Sequence, residues 1–157
     1  MGHYDSRRSH CGTCGTIHHE LAGCPRAKEV TSKANDRQPG GDHYKRTGEL
    51  QHWDLCAHVG PMEYAATKYL ARWPHKNGVD DLQKAEHYLA KLLEQVDEGV
   101  RRPLPPSVSD KDIDSFNEGC QMNPLTLLAF RFVCTWEVRR DLLNALVLVR
   151  QLVEINS

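Results

Sequence analysis

The sequence contains no long hydrophobic run and no excess of charge of either sign. Its 157 residues include 20 Lys and Arg against 21 Asp and Glu, a formal net charge of −1. The most apolar stretch, residues 125–155, is interrupted by charged side chains, whereas a membrane span requires about 20 mostly apolar residues. A nearly balanced charge also disfavours a protein that coats nucleic acid electrostatically. We therefore expect no membrane segment.

Aromatic residues make up only 7% of the chain, and no stretch alternates apolar and polar residues as a half-buried strand would. Hydrophobic residues nevertheless reach 39%, which is enough for a core and unlike a disordered chain. The first residues are polar and lack the apolar stretch of a secretory signal, so we expect a cytoplasmic protein. The predicted fold class is all-α, a helical domain preceded by a small zinc-binding module.

Composition divides the chain into three regions. Residues 1–35 form a cysteine-containing module and linker, because the stretch that follows is polar and contains Pro and Gly. Residues 36–106 form a helical domain that ends in a Pro-rich segment. Residues 107–157 form C-terminal helices, one of which starts at Asn123-Pro124 and another near Trp136.

Two helices are predicted in the central region. Pro61 occupies the first turn of one, and Pro74 ends it. Asp80 is the predicted N-cap of the next helix, after a turn at residues 76–78. The apolar residues of the first are Met62, Ala65, Ala66, Tyr69, Leu70 and Trp73, and those of the second are Leu82, Ala85, Leu89, Leu92 or Leu93, and Val96.

Three of the six cysteines lie close together near the N-terminus, in the spacing C-x2-C-x4-H-x4-C. Such clusters in a reducing compartment more often bind metal than form disulfides. Four nitrogen and sulfur ligands are what structural zinc prefers. We expect one structural zinc, with His10 and His18 as competing ligands and three reduced thiols as the alternative. The predicted ligands are Cys11, Cys14, His19 and Cys24.

This spacing resembles the zinc knuckle of retroviral nucleocapsid proteins, including Gly15 after the second cysteine. Gly12 replaces the aromatic residue that follows the first cysteine in that family, and His18 replaces the glycine before the histidine. Because unpaired bases stack on aromatic side chains, the module lacks a stacking platform. We interpret it as a staple for a segment too short to fold alone, with nucleic acid a possible but not a favoured partner.

Four blocks of the central region carry a second resemblance. They are Asp42-His43-Tyr44, His52-Trp53-Asp54, Lys68-Tyr69-Leu70-Ala71-Arg72 followed by Lys76, and DLQKAEHYL at residues 81–89. In this order and spacing, over about a third of the chain, they resemble the small phage nucleotide kinases (SaV-like proteins of podophages). Glu63-Tyr64-Ala65 stand where that family usually has a Gly-Asn pair.

The resemblance implies an enzyme in the host cytoplasm that transfers phosphate from a nucleoside triphosphate such as ATP to a deoxynucleoside monophosphate, with Mg²⁺ as cofactor. The residues assigned as catalytic on this basis are Lys68, Arg72, Asp81 and Lys84. Those assigned to nucleotide binding are Asp42, His43, Tyr44, Lys45, Tyr69, Lys76 and Tyr88.

Helical spacing gives this assignment a physical rationale. Tyr64, Lys68 and Arg72 lie at i, i+4 and i+8, on one face of the first helix. If the two helices pack antiparallel, four cations converge and would clamp phosphates. Phosphoryl transfer needs such groups, because its catalysis is mainly positioning and charge neutralisation. These cations are Lys68, Arg72, Lys76 and Lys84. Asp42, Asp80 or Asp81 would hold the magnesium.

A purely structural interpretation of the same residues is also open. Charged residues on a helix are usually solvated, and Asp81 with Lys84 is then a surface pair. Tyr69, Trp73 and Tyr88 are then core or interface residues. Residues 40–45 lack the second glycine and the Ser/Thr of a Walker A motif, so a kinase would hold its triphosphate with side chains, from one or more subunits.

The last predicted helix is apolar on more than one face, so it is either a core helix or the interface of a homo-oligomer formed through the C-terminal helices. Cys120 and Cys134 are interpreted as buried small hydrophobic residues. Two alternative functions stay open. One is an all-α MazG-like nucleotide pyrophosphohydrolase, although Glu63, Asp80, Asp81 and Glu86 do not form its repeated acidic pattern. The other is a zinc-knuckle protein that binds nucleic acid or a partner protein.

Overall fold

The computed structural model describes residues 8–10, 17–19, 50–105 and 107–157, and the chain forms two compact units, residues 1–37 and 38–157. In the first unit, β1 (Arg8–His10) pairs antiparallel with β2 (Ile17–His19), with Arg8 opposite His19. The sequence did not predict these strands, because three residues are too few to show an alternating pattern.

Several predicted site residues lie outside the described part of the chain. They are the zinc ligands Cys11, Cys14 and Cys24 and the nucleotide-binding residues Asp42, His43, Tyr44 and Lys45. His19 is the last residue of β2.

The second unit is built of α-helices over its described residues, which confirms the predicted all-α class. Their bounds are α1 (His52–Leu55), α2 (Pro61–Arg72), α3 (Val79–Asp97), α4 (Asp110–Cys120), α5 (Pro124–Thr135) and α6 (Arg139–Asn156). A 3₁₀ turn, Trp73–His75, follows α2.

Proline and glycine set the ends of α2 and α3. Pro61 is the first residue of α2, and Pro74 lies in the 3₁₀ turn that ends it, as predicted. Gly78 has a positive φ of 55°, which favours glycine, and it is the N-cap of α3. The prediction of Asp80 as the N-cap was therefore wrong. Asp80 lies in the first turn of α3, where its negative charge complements the helix dipole.

Local sequence signals also mark where the C-terminal helices begin. The side chain of Asn123 accepts a hydrogen bond from the Thr126 backbone, which confirms the predicted start of α5. Ser109 caps α4 in the same way, by accepting from the backbone N–H of Asp112. The last helix begins at Arg139, not near Trp136 as predicted, because Trp136 has an extended backbone and a buried side chain.

The core lies where α2 packs on α3 and α5, and where α6 packs on α3 and α5. The α6 residues Leu142, Ala145 and Val149 are fully buried there, so α6 is a core helix of this unit. Cys120 and Cys134 are buried as predicted. Among the described residues, no helix is both long and apolar enough to cross a membrane.

Candidate functional site

Arg72 at the end of α2 and Asp81 in the first turn of α3 form a two-point ion pair. The Arg72 Nε donates to Asp81 Oδ2 at 2.9 Å, and Nη2 donates to Oδ1 at 3.2 Å. The Asp81 side chain is completely buried, whereas Arg72 keeps 18% of its side-chain surface exposed. The Asp81 carboxylate is therefore buried, so the interpretation of Asp81 with Lys84 as a surface pair was wrong.

Two further donors complete the environment of Asp81. Asn77 Nδ2 donates to Oδ1 at 3.0 Å, and Lys84 Nζ donates to the same oxygen at 3.2 Å. Burial by itself raises the pKa of Asp81, but the hydrogen bonds from Arg72, Asn77 and Lys84 outweigh it and hold the pKa below its ordinary value of 3.8. The carboxylate is thus ionised at neutral pH, and it fixes two cations from two different helices.

Stacked tyrosines lie beside this ion pair. The rings of Tyr69 on α2 and Tyr88 on α3 are 5.8 Å apart, centre to centre, and tilted by only 14°. Arg72 Cζ lies 4.6 Å from the centre of the Tyr69 ring, and Lys84 Nζ lies 5.5 Å from it, both within the range of a cation–π interaction. Both tyrosines are half-buried against the core, so they serve the packing of α2 on α3 as well as the cations.

The Asp81 cluster, defined as Tyr69, Arg72, Asn77, Asp81, Lys84 and Tyr88, contains five of the residues predicted for the site. The Arg72–Asp81 and Tyr69–Tyr88 pairs run in opposite order along the two helices, so α2 and α3 pack antiparallel. Lys68 is half-buried on α2, and Lys76 is exposed in the turn between the helices. Neither lysine forms an ion pair within the described residues.

A second polar cluster, centred on Glu63 in the first turn of α2, was missed by sequence reasoning. Glu63 is 2% exposed, and its Oε1 accepts from Arg101 Nη2 at 2.7 Å, Arg101 Nε at 3.2 Å and Trp136 Nε1 at 3.0 Å. A signal was present in the sequence, because Glu63 lies at i, i+3 and i+7 with Ala66 and Leu70, which are fully buried.

The predicted apolar stripe of α2 was partly wrong, because two polar residues are among its buried positions. The buried positions of α2 are Glu63, Ala66, Thr67 and Leu70. The hydroxyl of Thr67 donates to the backbone carbonyl of Glu63 at 2.7 Å, so this polar group is satisfied inside the helix. The stripe predicted for α3 was confirmed at Leu82, Ala85, Leu89, Leu92 and Leu93, which are all buried.

Thr67 also connects α2 to α1. The His52 Nε2 lies 2.9 Å from Thr67 Oγ1, and the Cys56 sulfur lies 3.6 Å from the same oxygen. A hydrogen bond from the Cys134 thiol, with those from His52 and Thr67 and the charge of His52, lowers the pKa of Cys56 to about 5, although burial opposes the shift. The partner thiol shifts the other way, since its hydrogen bond to Cys56 and its burial raise the pKa of Cys134.

Within residues 50–105 and 107–157, no group of three or more His, Cys, Asp or Glu side chains is arranged to hold a metal ion. A family model described only as a protein of unknown function, DUF3310, matches residues 37–90. No curated protein and no solved structure matches the chain. The matched range includes every residue of the Asp81 cluster and also Glu63, whereas Arg101 and Trp136, the partners of Glu63, lie beyond it.

Proposed function

We propose that the chain is a nucleotide kinase that transfers a phosphoryl group from a nucleoside triphosphate to a deoxynucleoside monophosphate without a P-loop. The observation that carries this proposal is the meeting of Arg72 and Lys84, from two helices, on one buried carboxylate beside an aromatic pair. The resemblance of residues 42–89 to small phage nucleotide kinases supports the choice of substrate.

The balance of charge around the cluster favours an anionic ligand. Between residues 68 and 84 the chain carries four Lys or Arg against two Asp. Asp81 neutralises only part of that positive charge, and Asp80 is exposed on the first turn of α3. Lys68 and Lys76 have no ion-pair partner within the described residues. A polyphosphate would gain from such unpaired cations, because they stabilise the charge that spreads over the transferred group.

Asp81 is best explained as a positioning residue. Its two oxygens already accept from Arg72, Asn77 and Lys84, which leaves it poorly suited to bind a metal directly. By holding the guanidinium at two points, it fixes the direction in which Arg72 presents its remaining surface. We therefore propose that Asp81 does not bind Mg²⁺ directly, and that Mg²⁺ enters as the complex with the triphosphate.

The test is an assay of diphosphate formation from dTMP or dGMP with ATP and Mg²⁺. Lys68→Ala and Lys76→Ala are the informative variants, because neither side chain supports the fold through an ion pair. We expect each to lower kcat/KM by about 100-fold, the usual cost of removing a donor that stabilises transition-state charge. Lys91→Ala is the matched control, since Lys91 is an exposed lysine of α3 whose ion pair is with Glu94 on the same helix.

The same assay separates the alternatives. Pyrophosphate released from a deoxynucleoside triphosphate without an acceptor would indicate a pyrophosphohydrolase instead. Salt-sensitive binding of an oligonucleotide, lost in Cys14→Ser and without turnover of nucleotide, would indicate a zinc-knuckle binding protein. Either result, or equal rates for Lys68→Ala and Lys91→Ala, would contradict the kinase proposal.

Two further parts of the proposal concern the ends of the chain. Cys11, Cys14, His19 and Cys24 are proposed to hold one structural zinc; this is supported by their spacing and by the pairing of β1 with β2 on either side of residues 11–16. The chain is also proposed to form a homo-oligomer through its C-terminal helices. Val147 and Ile155, eight residues apart on α6, are 53% and 71% exposed and lie outside the core.

A further inference from the structure

Two thiols from different helices meet in the core of the second unit. Cys56 is the C-cap residue of α1, and Cys134 is the second-last residue of α5. The Cys134 thiol donates a hydrogen bond to the Cys56 sulfur. The two residues are far apart in the chain, so the fold is what brings their sulfurs together.

The surroundings of Cys56 hold its sulfur in place. The sulfur lies 3.6 Å from Thr67 Oγ1, and His52 Nε2 lies 2.9 Å from the same oxygen. Thr67 is itself fixed, because its hydroxyl donates to the backbone carbonyl of Glu63 at 2.7 Å. A disulfide bond is about 2 Å long, so the step from hydrogen-bond contact to a covalent bond requires only a small movement of two side chains.

The hydrogen bond between the thiols also makes one sulfur reactive. The bond from Cys134 is the main cause that lowers the pKa of Cys56 to about 5, whereas the bond to Cys56 and burial raise the pKa of Cys134. The pair therefore carries one proton at neutral pH, and its other sulfur is a thiolate. Thiolate is the form that attacks oxidants, and proton exchange along the hydrogen bond can place the negative charge on either sulfur.

Of the two residues, Cys134 lies closer to solvent. It is 8% exposed, whereas Cys56 is 1% exposed. Cys134 lies at a cleft that is also lined by Gly60 and Thr135. Hydrogen peroxide is an oxidant of nearly the size of water, so it needs contact with the exposed surface of Cys134 and no cavity inside the protein.

We propose that Cys56 and Cys134 form a redox site, which a hydroperoxide converts into a disulfide between α1 and α5 and which a small thiol reduces again. The Cys134 thiolate attacks one oxygen of the peroxide, the O–O bond breaks, and the hydroxide that leaves takes the proton from Cys56. The Cys56 thiolate then attacks the sulfur of the Cys134 sulfenic acid, the S–O bond breaks, and the second hydroxide takes a proton from solvent.

The electrons balance in both directions. The two cysteines together lose two electrons, and hydrogen peroxide is reduced to two waters. In the reverse reaction one thiolate of the reductant attacks the disulfide, and a second resolves the mixed disulfide, so the reductant is itself oxidised to a disulfide. The proposal does not depend on the kinase function, and its test does not measure turnover.

Cys120 provides a matched comparison within the same chain. It is 7% exposed, close to the value for Cys134, but burial raises its pKa to about 12. Cys120 therefore has similar access to solvent but stays a thiol at neutral pH. We expect peroxide to consume Cys120 at least about tenfold more slowly than the pair, because the thiolate is the reactive form.

The test treats the folded full-length protein with hydrogen peroxide, removes the peroxide with catalase, alkylates the remaining thiols in urea and maps the tryptic peptides by mass spectrometry. We expect the peptides of Cys56 and Cys134 to be joined, two hydrogens lighter than their sum, while that of Cys120 stays alkylated. Dithiothreitol should restore the separate peptides. Trypsin places Cys56, Cys120 and Cys134 on three different peptides, residues 47–68, 112–131 and 132–139, and the N-terminal cysteines on a fourth, residues 9–26.

Three results would overturn the proposal. One is the recovery of Cys56 and Cys134 as alkylated thiols at every peroxide concentration that leaves the circular dichroism of the protein unchanged. Another is a disulfide that joins either residue to a different cysteine. The third is a joined pair that forms only when peroxide is added in urea, since the fold would then not be what pairs the sulfurs.

Two variants give a sharper form of the same test. In Cys56→Ser the reaction should stop at the sulfenic acid of Cys134, which dimedone traps, because the thiol that resolves it is gone. Cys120→Ser should leave the joined peptides unchanged. The main comparison uses the unaltered protein, so it does not depend on the folding of either variant.

Discussion

Arg72 and Asp81 join the last turn of α2 to the first turn of α3 through two hydrogen bonds of 2.9 and 3.2 Å. The connection between these helices is short, and it contains the positive φ of Gly78. The ion pair therefore fixes the geometry of a turn that would otherwise depend on backbone conformation alone. Lys84, three residues after Asp81 on α3, donates to the same carboxylate at 3.2 Å.

Asp81→Asn should destabilise the second unit by about 2–4 kcal/mol, because removing one partner of a buried pair leaves the other charge uncompensated. This expected loss lies towards the lower end of the usual cost of breaking a buried ion pair, because Arg72 keeps 18% of its side-chain surface exposed to water. Urea unfolding would measure the change. Glu94→Gln, which removes the solvent-exposed pair with Lys91, should leave the free energy of unfolding almost unchanged. Equal losses in the two variants would contradict the structural role assigned to Asp81.

The stability of the protein should also depend on pH through Asp81. The pKa of this carboxyl is lower in the folded protein than its ordinary value of 3.8, so the unfolded chain binds the proton more readily. The stabilisation from Asp81 is complete at pH values above the ordinary pKa of 3.8. It is lost as the pH falls through the lower pKa that this carboxyl has in the folded protein.

Unfolding free energies measured from about pH 5 down to about pH 2.5 would test this sign. Asp81→Asn should show a shallower decrease than the unaltered protein. A residual decrease should remain, since the hydrogen bond from Arg139 also lowers the pKa of Asp97. An unchanged slope in Asp81→Asn would mean that the Asp81 carboxyl is not held ionised by Arg72 and Asn77.

Zinc content tests the assignment of the N-terminal cysteines. We expect about one zinc per chain by atomic absorption, and none in Cys14→Ser, because a structural site with three protein ligands loses its closed tetrahedral set. Cys120→Ser is the control, since Cys120 is buried in the core of the second unit, where burial raises its pKa to about 12. Zinc that persists in Cys14→Ser, or is absent from the unaltered protein, would rule out the predicted ligand set.

Much of the helical fold could be predicted from local sequence. Apolar spacing predicted α2 and α3, and capping signals at Pro61 and Asn123 predicted the starts of α2 and α5, because capping and periodicity involve residues close in the chain. The burial of Glu63 could not be predicted in this way. Its partners lie 38 and 73 residues away at Arg101 and Trp136, so the compensation that allows a carboxylate into the core appears only in the folded structure.

The candidate site was predictable to a similar extent. The spacing of Lys68, Arg72 and Lys84 indicated that cations from two helices would meet, and the antiparallel packing of α2 and α3 brings Arg72 and Lys84 together. Spacing did not indicate that Asp81 would be buried between them. Position in the first turn of a helix does not by itself determine whether a side chain faces water or the neighbouring helix. Asp81 is buried because Arg72 and Asn77 donate hydrogen bonds to its carboxylate.

Gly60→Ala should destabilise the second unit by about 1–3 kcal/mol, the usual cost of forcing extra volume into a packed site. The backbone φ of −71° suits alanine, so the expected cost comes from contact with Arg101 and Glu63, not from backbone strain. The cost should be smaller in an Arg101→Ala background, because the atom that would lie 2.1 Å from the new Cβ is then absent. Urea unfolding of the four proteins of this double-mutant cycle would measure the coupling. If Gly60→Ala costs the same in both backgrounds, or nothing in either, the close approach of Arg101 to Gly60 is not part of the folded state.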